Sequence, residues 1–201
     1  MVTRMNLLAF DPRPGTGCRR KWIAGFTLVE VLTVITIVAI LMALGVPSYQ
    51  YVTNANRISG EVNGLLGDMQ YARSEAIKEG QTVTVCSSTN PTAAAPTCAG
   101  NAAWQNGWIV FSDVNGTGAV DSASDTILRV QRAFPLGDTF NASNATSFVT
   151  FNREGFALNL ANPPVTVTLH AAVPISSSTR CLQITIVGQL TTETAGQGAC
   201  T

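Results

Sequence analysis

The apolar positions of the chain begin with one long uninterrupted stretch. From Phe26 to Val46 nearly every residue is apolar, and Glu30 is the ionisable side chain within the stretch. At about 1.5 Å rise per residue, a helix of this length spans the roughly 30 Å hydrocarbon layer of a bilayer. The pattern therefore predicts a membrane-spanning helix over residues 26–46.

Beyond Pro47 the apolar positions follow a helical period. They recur at alternating spacings of three and four residues, which places them on one stripe of an amphipathic helix. The stripe consists of Ala55, Ile58, Val62, Leu65, Met69, Ala72 and Ala76. Pro47 removes one helical hydrogen bond, so a bend or local melting is expected there. Gly80 suits the end of the helix, which gives an amphipathic half over residues 47–79.

Residues 80–201 have the pattern of an antiparallel sheet. Short β-rich segments alternate with clusters of Gly, Asn, Asp and Pro. The predicted strands are Gln81 to Ser87, Trp108 to Phe111, Ile127 to Phe134, Phe148 to Asn152, Phe156 to Leu160, Val165 to His170 and Cys181 to Val187. No helical period separates them, so one sheet face is expected to pack on the amphipathic helix. The predicted fold class is α+β.

The charge distribution gives the span an orientation. Arg19, Arg20 and Lys21 directly precede the apolar stretch, and a basic cluster beside a span stays in the cytoplasm. The formal net charge is zero, but the residues up to Gly25 are strongly basic, which leaves the remainder mildly acidic. An acidic remainder argues against broad attraction to nucleic acid or anionic lipid.

The start of the span carries a family resemblance. A basic leader, then Gly-Phe-Thr-Leu-Val-Glu at residues 25–30, then an apolar helix resembles the type III signal of the type IV pilin superfamily. The resemblance implies cleavage after Gly25 by a membrane prepilin peptidase and N-methylation of Phe26. It also implies that Glu30 pairs with the terminal amine of a neighbouring subunit, and that Pro47 marks a bend. A carboxylate inside a bilayer is costly without such a partner.

This resemblance makes residues 1–25 a cleaved prepilin leader, longer than the resemblance itself suggests. Whether translation starts at Met1 or Met5 stays open, and an ordinary single-pass anchor is the alternative to a pilin. The expected localisation is a single-pass inner-membrane protein with residues 80–201 in the periplasm, later assembled into a pilus or pseudopilus.

A second resemblance lies within the predicted sheet. Residues 104–118, followed by Asp125, Ile127, Leu128 and Arg129, are similar to the core signature of the GspH/FimT family of minor pilins and pseudopilins. It implies a pilin-like fold and a structural subunit that helps to start or cap a type IV pilus, with other pilins as partners. A minor pseudopilin of the type II secretion system and a DNA-binding competence pilin are the alternatives.

Four cysteines remain once the leader, with Cys18, is removed. An even number in an oxidising compartment such as the periplasm indicates disulfides. Three connectivities are open. The local pairs Cys86 with Cys98 and Cys181 with Cys200 are favoured because each closes a short loop.

The turn after the Trp108 strand offers a metal candidate. Asp113, Asn115 and Thr117 resemble the opening of an EF-hand calcium loop, but the twelfth position is Ser124 instead of the bidentate glutamate. A glycine-rich turn is therefore the favoured interpretation, and no cofactor is expected.

Catalysis and nucleic-acid binding find little support. A hydrolase needs a base beside its nucleophile, and the sole histidine, His170, ends a predicted strand with no motif around a serine. We therefore expect a non-enzymatic protein without a small-molecule substrate. In DNA-uptake relatives, basic residues lie near the C-terminal end, and segment 188–193 lacks them here. The scattered arginines are favoured as solvated charges; they are Arg129, Arg132, Arg153 and Arg180.

Overall fold

The structure is a computed structural model that describes residues 25–134, 136–172, 178–198 and 200. The predicted leader before Gly25 lies outside these residues. The chain divides into two compact units at the boundary between Leu44 and Gly45. The first unit contributes the beginning of helix α1, and the second contains the rest of the helix and all the strands.

Helix α1 spans Leu28–Glu79. It begins after Thr27, whose hydroxyl oxygen accepts a hydrogen bond of 3.2 Å from the backbone amide of Glu30. Amides in the first turn of a helix have no backbone acceptor, and a threonine side chain at this position commonly supplies one. It ends before Gly80, whose φ of 70° is the left-handed conformation that glycine adopts readily. The helical conformation continues through Pro47, so a bend or melting at this residue stays a prediction.

Within the described part of the chain, nine strands follow the helix, and every neighbouring pair is antiparallel. They are β1 (Val83–Ser87), β2 (Gly107–Ser112), β3 (Thr126–Arg132), β4 (Thr139–Ala142), β5 (Phe148–Phe151), β6 (Ala157–Leu158), β7 (Val165–His170), β8 (Arg180–Ile184) and β9 (Leu190–Thr194). Sheet 1 has the order β3-β2-β1-β5-β6, and sheet 2 has the order β4-β7-β8-β9. The α+β fold class is confirmed.

Most strands differ from their predicted bounds by one or two residues at an end, and two strands were not predicted. The two are β4 and β9, which are short and lie at the edges of sheet 2. The predicted strand to Val187 ends at Ile184, because residues 185–189 form the turn between β8 and β9. Phe156 to Leu160 shrinks to the two residues of β6.

The amphipathic stripe of α1 lies in the core with residues of both sheets. Its buried members are Ile58, Val62, Leu65, Met69, Ala72 and Ala76. Val83 and Val110 of sheet 1 and Val167 and Leu182 of sheet 2 belong to the same cluster. Ala55, at the start of the stripe, is only partly buried. The hydrophobic effect of this shared burial is the main force that holds the second unit together.

Sheet 1 is buried on both of its faces at β1 and β2. On the face away from the main core, Cys86, Ile109 and Phe111 form a second buried cluster. Partly buried Cys98 and Val120, from the loops that follow β1 and β2, pack against it. These loops thus cover what would otherwise be a solvent-facing sheet surface.

Candidate assembly surface

The start of α1 presents the predicted processing and assembly residues to the outside. Gly25, Phe26 and Thr27 precede the helix, and Phe26 is 78 % exposed. Glu30 lies in the first turn, where the positive end of the helix dipole favours a carboxylate. Within the described residues, no side chain or amide donates a hydrogen bond to this carboxylate. The geometry leaves both Phe26 and Glu30 accessible to a second chain.

The apolar stretch after Glu30 has no cover from its own unit. Every residue from 25 to 53 is exposed, and large apolar side chains such as Leu32, Ile35 and Leu41 are more than half exposed. Among the described residues, α1 is the one helix long and apolar enough to cross a membrane. An apolar surface of this extent requires lipid or other apolar helices around it.

In the second unit, Asp68 attaches α1 to sheet 1. Its carboxylate accepts a hydrogen bond of 2.8 Å from the indole nitrogen of Trp108 and one of 3.0 Å from the guanidinium of Arg129. The same guanidinium stacks over the ring of Tyr71, 3.7 Å from its centroid, as a cation–π contact. Trp108 in turn packs on Phe140 of sheet 2, with ring centroids 6.1 Å apart.

A second polar contact joins α1 to the segment before β4. Arg57 binds the carboxylate of Asp138 through both terminal nitrogens, one of them at 3.1 Å from Oδ1. Asp138 also accepts a hydrogen bond of 2.7 Å from the backbone amide of Ala172, and its side chain is fully buried. This bidentate, charge-assisted geometry is one of the stronger polar contacts that a protein can form.

Glu61 lies beside this ion pair, one turn after Arg57. Its side chain is only 10 % exposed, and its Oε2 atom is buried without a hydrogen-bond partner among the described residues. Burial and the negative charge of Asp138 raise the pKa of Glu61 to about 7, whereas the nearby charge of Arg57 lowers it. The site therefore favours a protonated Glu61 that can donate to Asp138.

A third contact joins α1 to two turns. Arg73 donates hydrogen bonds to the backbone oxygens of Gly155, at 2.8 Å, and Val187, at 3.3 Å. Gly155 lies between β5 and β6, and Val187 lies between β8 and β9. Gly188 has a φ of 71°, and a Cβ there would lie 2.1 Å from the oxygen of Gly155. The close approach of the two turns thus requires glycine at this position.

Three charged residues of α1 that bind the sheets or their connections were not singled out from the sequence. Arg57, Asp68 and Arg73 flank the stripe and reach the sheets or their connections. Their spacing along the helix was the available signal, because residues beside an apolar stripe lie at the border of the packed face. Their partners are distant in sequence and could not be read from that spacing.

Two disulfides are present. Cys86 of β1 is joined to Cys98 in the following loop, with Cα atoms 5.6 Å apart. Cys181 of β8 is joined to Cys200, with Cα atoms 5.5 Å apart. These are the local pairs that the sequence favoured. The first fixes the loop over the second buried cluster, and the second fixes the chain after β9 to sheet 2.

The calcium candidate residues close a turn. The buried carboxylate of Asp113 accepts hydrogen bonds from the Thr84 hydroxyl (2.8 Å) and from the backbone amides of Thr117 (3.1 Å) and Gly118 (2.8 Å). Asn115 accepts a hydrogen bond of 2.9 Å from the Thr117 hydroxyl. Among the described residues, no group of three or more His, Cys, Asp and Glu side chains could hold a metal. The preference for a glycine-rich turn over a calcium loop at these residues stays a prediction.

The arginines considered for nucleic acid lie in three parts of the domain: β3 contains Arg129 and Arg132, the turn between β5 and β6 contains Arg153, and β8 begins with Arg180. Arg129 is bound to α1 as described above, Arg153 pairs with Glu154 at 2.8 Å, and Arg180 donates to the preceding backbone oxygen at 3.0 Å. Arg132 is exposed at the end of β3. Nucleic-acid binding would require basic groups clustered on one face, and three of these four arginines already bind other groups of the described chain.

The remaining sequence candidates lie in sheet 2. His170 ends β7, and its Nδ1 atom is 3.2 Å from the hydroxyl of Thr179. The segment 188–193, compared above with DNA-uptake relatives, forms the end of a turn and most of β9.

Comparison with known proteins places this architecture. A family model described as type II transport protein GspH matches residues 61–189, more than half of the chain. The chain belongs to the GspH family. The family assignment made from the sequence is therefore confirmed, and membership implies assembly with other pilins in a pilus or pseudopilus. The apolar N-terminal helix and this membership fit a membrane-anchored pilin.

The fold of this GspH family member is similar to that of another protein whose structure has been solved. A crystal structure of the Pseudomonas aeruginosa type IV minor pilin FimU, in space group P21, has a TM-score of 0.52 at 19 % identity and covers 74 % of this chain and 95 % of that chain. A second crystal form of FimU, in space group P65, has a TM-score of 0.47 at 19 % identity and covers 72 % and 94 %. A comparison with curated proteins found no match.

Proposed function

We propose that the chain is a minor pilin, a non-enzymatic structural subunit that helps to initiate or cap a type IV pilus. The observation that carries the proposal is the exposed apolar beginning of α1 next to an unpartnered Glu30, in a member of the GspH family. Such a helix must be covered first by lipid and then by the helices of other subunits. The likeness of the fold to that of FimU supports the same class of protein.

The proposed processing follows from the chemistry at residues 25–27. A prepilin peptidase of the inner membrane cuts after Gly25, and Phe26 becomes a methylated N-terminus. These residues precede the helix and are exposed, which suits entry of an extended segment into a peptidase. Mass spectrometry of the protein purified from its host is expected to find methylated Phe26 as the first residue. An intact leader, or cleavage after the apolar stretch, would contradict this step.

In the proposed assembly step, the Glu30 carboxylate pairs with the amine at Phe26 of a neighbouring subunit. An unpaired charge in an apolar filament core is strongly unfavourable, so loss of the pair is expected to reduce incorporation about tenfold or more. The test compares Glu30→Ala with Glu79→Ala, at the other end of α1. Both variants should reach the inner membrane, with residues 80–201 in the periplasm. Normal co-purification of Glu30→Ala with filaments would refute the pairing.

A deletion in the native host identifies the machine. Surface pili, exoprotein secretion and DNA uptake are scored in the same cells, with the wild-type chain restored as a control. Loss of pili with intact secretion is the expected result. Loss of secretion with intact pili would instead make the chain a pseudopilin of the type II secretion system. Loss of DNA uptake with pili intact, together with salt-dependent DNA binding, would favour a competence pilin.

A further inference from the structure

The turn between β8 and β9 has two large apolar residues at its tip. Ile186 and Val187 lie inside a turn closed by a hydrogen bond of 3.0 Å from the Gly188 amide to the Thr185 oxygen. Each side chain is 54 % exposed. Such positions usually carry Gly, Asn, Asp, Pro or Ser, which favour the turn conformation. Nothing in the folding of this turn requires an isoleucine and a valine pointing outwards.

A neighbouring turn extends this apolar surface. The backbone amide of Ala157 donates a hydrogen bond of 2.9 Å to the oxygen of Ile186, which places the two segments side by side. Phe156 and Leu158, on either side of Ala157, are 43 % and 36 % exposed. A Cβ on Gly155 would lie 3.0 Å from Cδ1 of Ile77, whose side chain is 51 % exposed. We call Ile77, Phe156, Leu158, Ile186 and Val187 the edge patch.

The backbone beneath the edge patch is rigid. The planar guanidinium of Arg73 donates hydrogen bonds to the backbone oxygens of both Gly155 and Val187, and Gly188 allows the two turns to approach closely. A surface that is already ordered loses little conformational freedom when it is covered. The ordered backbone therefore makes the edge patch suitable for contact with another surface.

The charges around the edge patch indicate what kind of partner covers it. Arg153 is paired with Glu154 at 2.8 Å, and Lys78 is paired with Glu75 at 2.7 Å. Among the described residues beside the patch, Arg73 has no carboxylate partner, but its guanidinium is already bound to two backbone oxygens, so the surroundings present no cluster of basic groups. Nucleic acid and anionic lipid both require an excess of basic groups. A neutral apolar protein surface is the partner that this chemistry fits.

The size of the edge patch indicates how the partner is held. Five side chains that are about half exposed present on the order of 400 Å², compared with roughly 800 Å² per partner in a stable interface. A freely diffusing protein would bind such a patch only weakly. A partner anchored in the same membrane or filament has an effective concentration in the millimolar range, at which a weak contact suffices.

We infer that the edge patch is covered, in the assembled filament, by the globular domain of a neighbouring pilin subunit held in place by its own anchor helix. This inference rests on the proposed function, since it takes the anchor helices to bring the two domains together. It assigns to the domain a contact of its own, separate from the pairing at Glu30.

Photo-crosslinking in the native host tests the assignment. A photoreactive benzoylphenylalanine replaces Ile186 in the full-length chain, and in a matched control it replaces Val114, which is also 54 % exposed but lies in the loop after β2. The expected product at Ile186 is a crosslink to a pilin with its own apolar N-terminal helix, identified by mass spectrometry and at least tenfold more abundant than at Val114. Equal yields at the two positions, or crosslinks to lipid alone, would overturn the inference.

Substitution supplies an independent readout. Val187→Asp should reduce co-purification with filaments several-fold while the thermal unfolding temperature stays within about 1 °C of wild type, and Val114→Asp should change neither. If Val187→Asp co-purifies normally while Glu30→Ala does not, the edge patch is not a contact and the proposed function stands. If neither variant nor deletion of the chain affects any filament, the proposed function itself has failed and the inference falls with it.

Discussion

Glu61 gives the domain a stability that decreases as the pH rises through neutrality. In the folded chain, burial and the charge of Asp138 raise its pKa from 4.5 to about 7. Between these two pH values the folded state binds more protons than the unfolded state. The stabilisation is therefore complete below about pH 4.5 and is lost as the pH rises through about 7.

The size of the effect follows from the shift in pKa. At about 1.4 kcal/mol per pH unit, the shift from 4.5 to about 7 sets an upper limit of about 3 kcal/mol on the change in unfolding free energy. Access of solvent and the opposing charge of Arg57 reduce it, and we expect about 1–2 kcal/mol. In a domain of this size, that corresponds to a change in unfolding temperature of roughly 4 °C.

The Glu61→Gln variant isolates this contribution. The amide keeps the shape of the side chain and donates to Asp138 as the protonated acid does, but it cannot ionise. At pH 8 the variant should be more stable than wild type by about 1–2 kcal/mol, and at pH 4, below the unfolded-state pKa, the two should agree within about 0.5 kcal/mol. Urea unfolding of the full chain in detergent micelles at both pH values measures the difference.

The control for this experiment is Glu79→Gln, because Glu79 is exposed at the end of α1. It should follow the wild-type pH dependence. The difference between wild type and the Glu61→Gln variant reports on Glu61. An unchanged pH dependence in Glu61→Gln, or a wild-type stability that increases from pH 4 to pH 8, would refute the assignment of the raised pKa.

Three further predictions concern the contacts that hold the domain. Asp68→Ala should lower the unfolding free energy by about 1–3 kcal/mol, because the buried indole of Trp108 loses its acceptor, and Asp68→Asn should restore part of the loss. Gly188→Ala should cost about 3 kcal/mol, whereas Gly196→Ala, with a similar positive φ but open space around it, should cost only about 1 kcal/mol. Urea unfolding measures both. Peptide mapping without reduction should recover the two disulfides seen here, and a crossed linkage would contradict them.

The elements that the sequence predicted well are those with a local period. The stripe from Ile58 to Ala76 recurs at helical spacing, and each of its predicted positions in that range is buried. Strands β1 and β7 carry β-branched runs and lie close to their predicted bounds. A period of this kind is set by residues a few positions apart, so the sequence displays it directly.

The elements that the sequence missed depend on distant residues. β9 is a polar edge strand, with Thr-Thr-Glu-Thr after Leu190. Its strand conformation is determined by pairing with β8, and its own residues do not indicate it. The division into two sheets has the same origin, because it is decided by which strands pair. For Asp68 the reason is similar: its partners Trp108 and Arg129 follow far along the chain.

The polar contacts of α1 explain how the position of the helix is fixed within the second unit. Arg57, Asp68 and Arg73 lie along about 24 Å of helix and bind three separate parts of the domain. If the helix slid by one turn, the apolar stripe would still face apolar side chains. All three polar contacts would break, however, and Asp138 and Trp108 would stay buried without their partners on the helix. The stripe supplies the attraction, and the charged residues beside it fix the register. A subunit on whose helix a pulling force acts therefore needs both the apolar stripe and the polar contacts beside it.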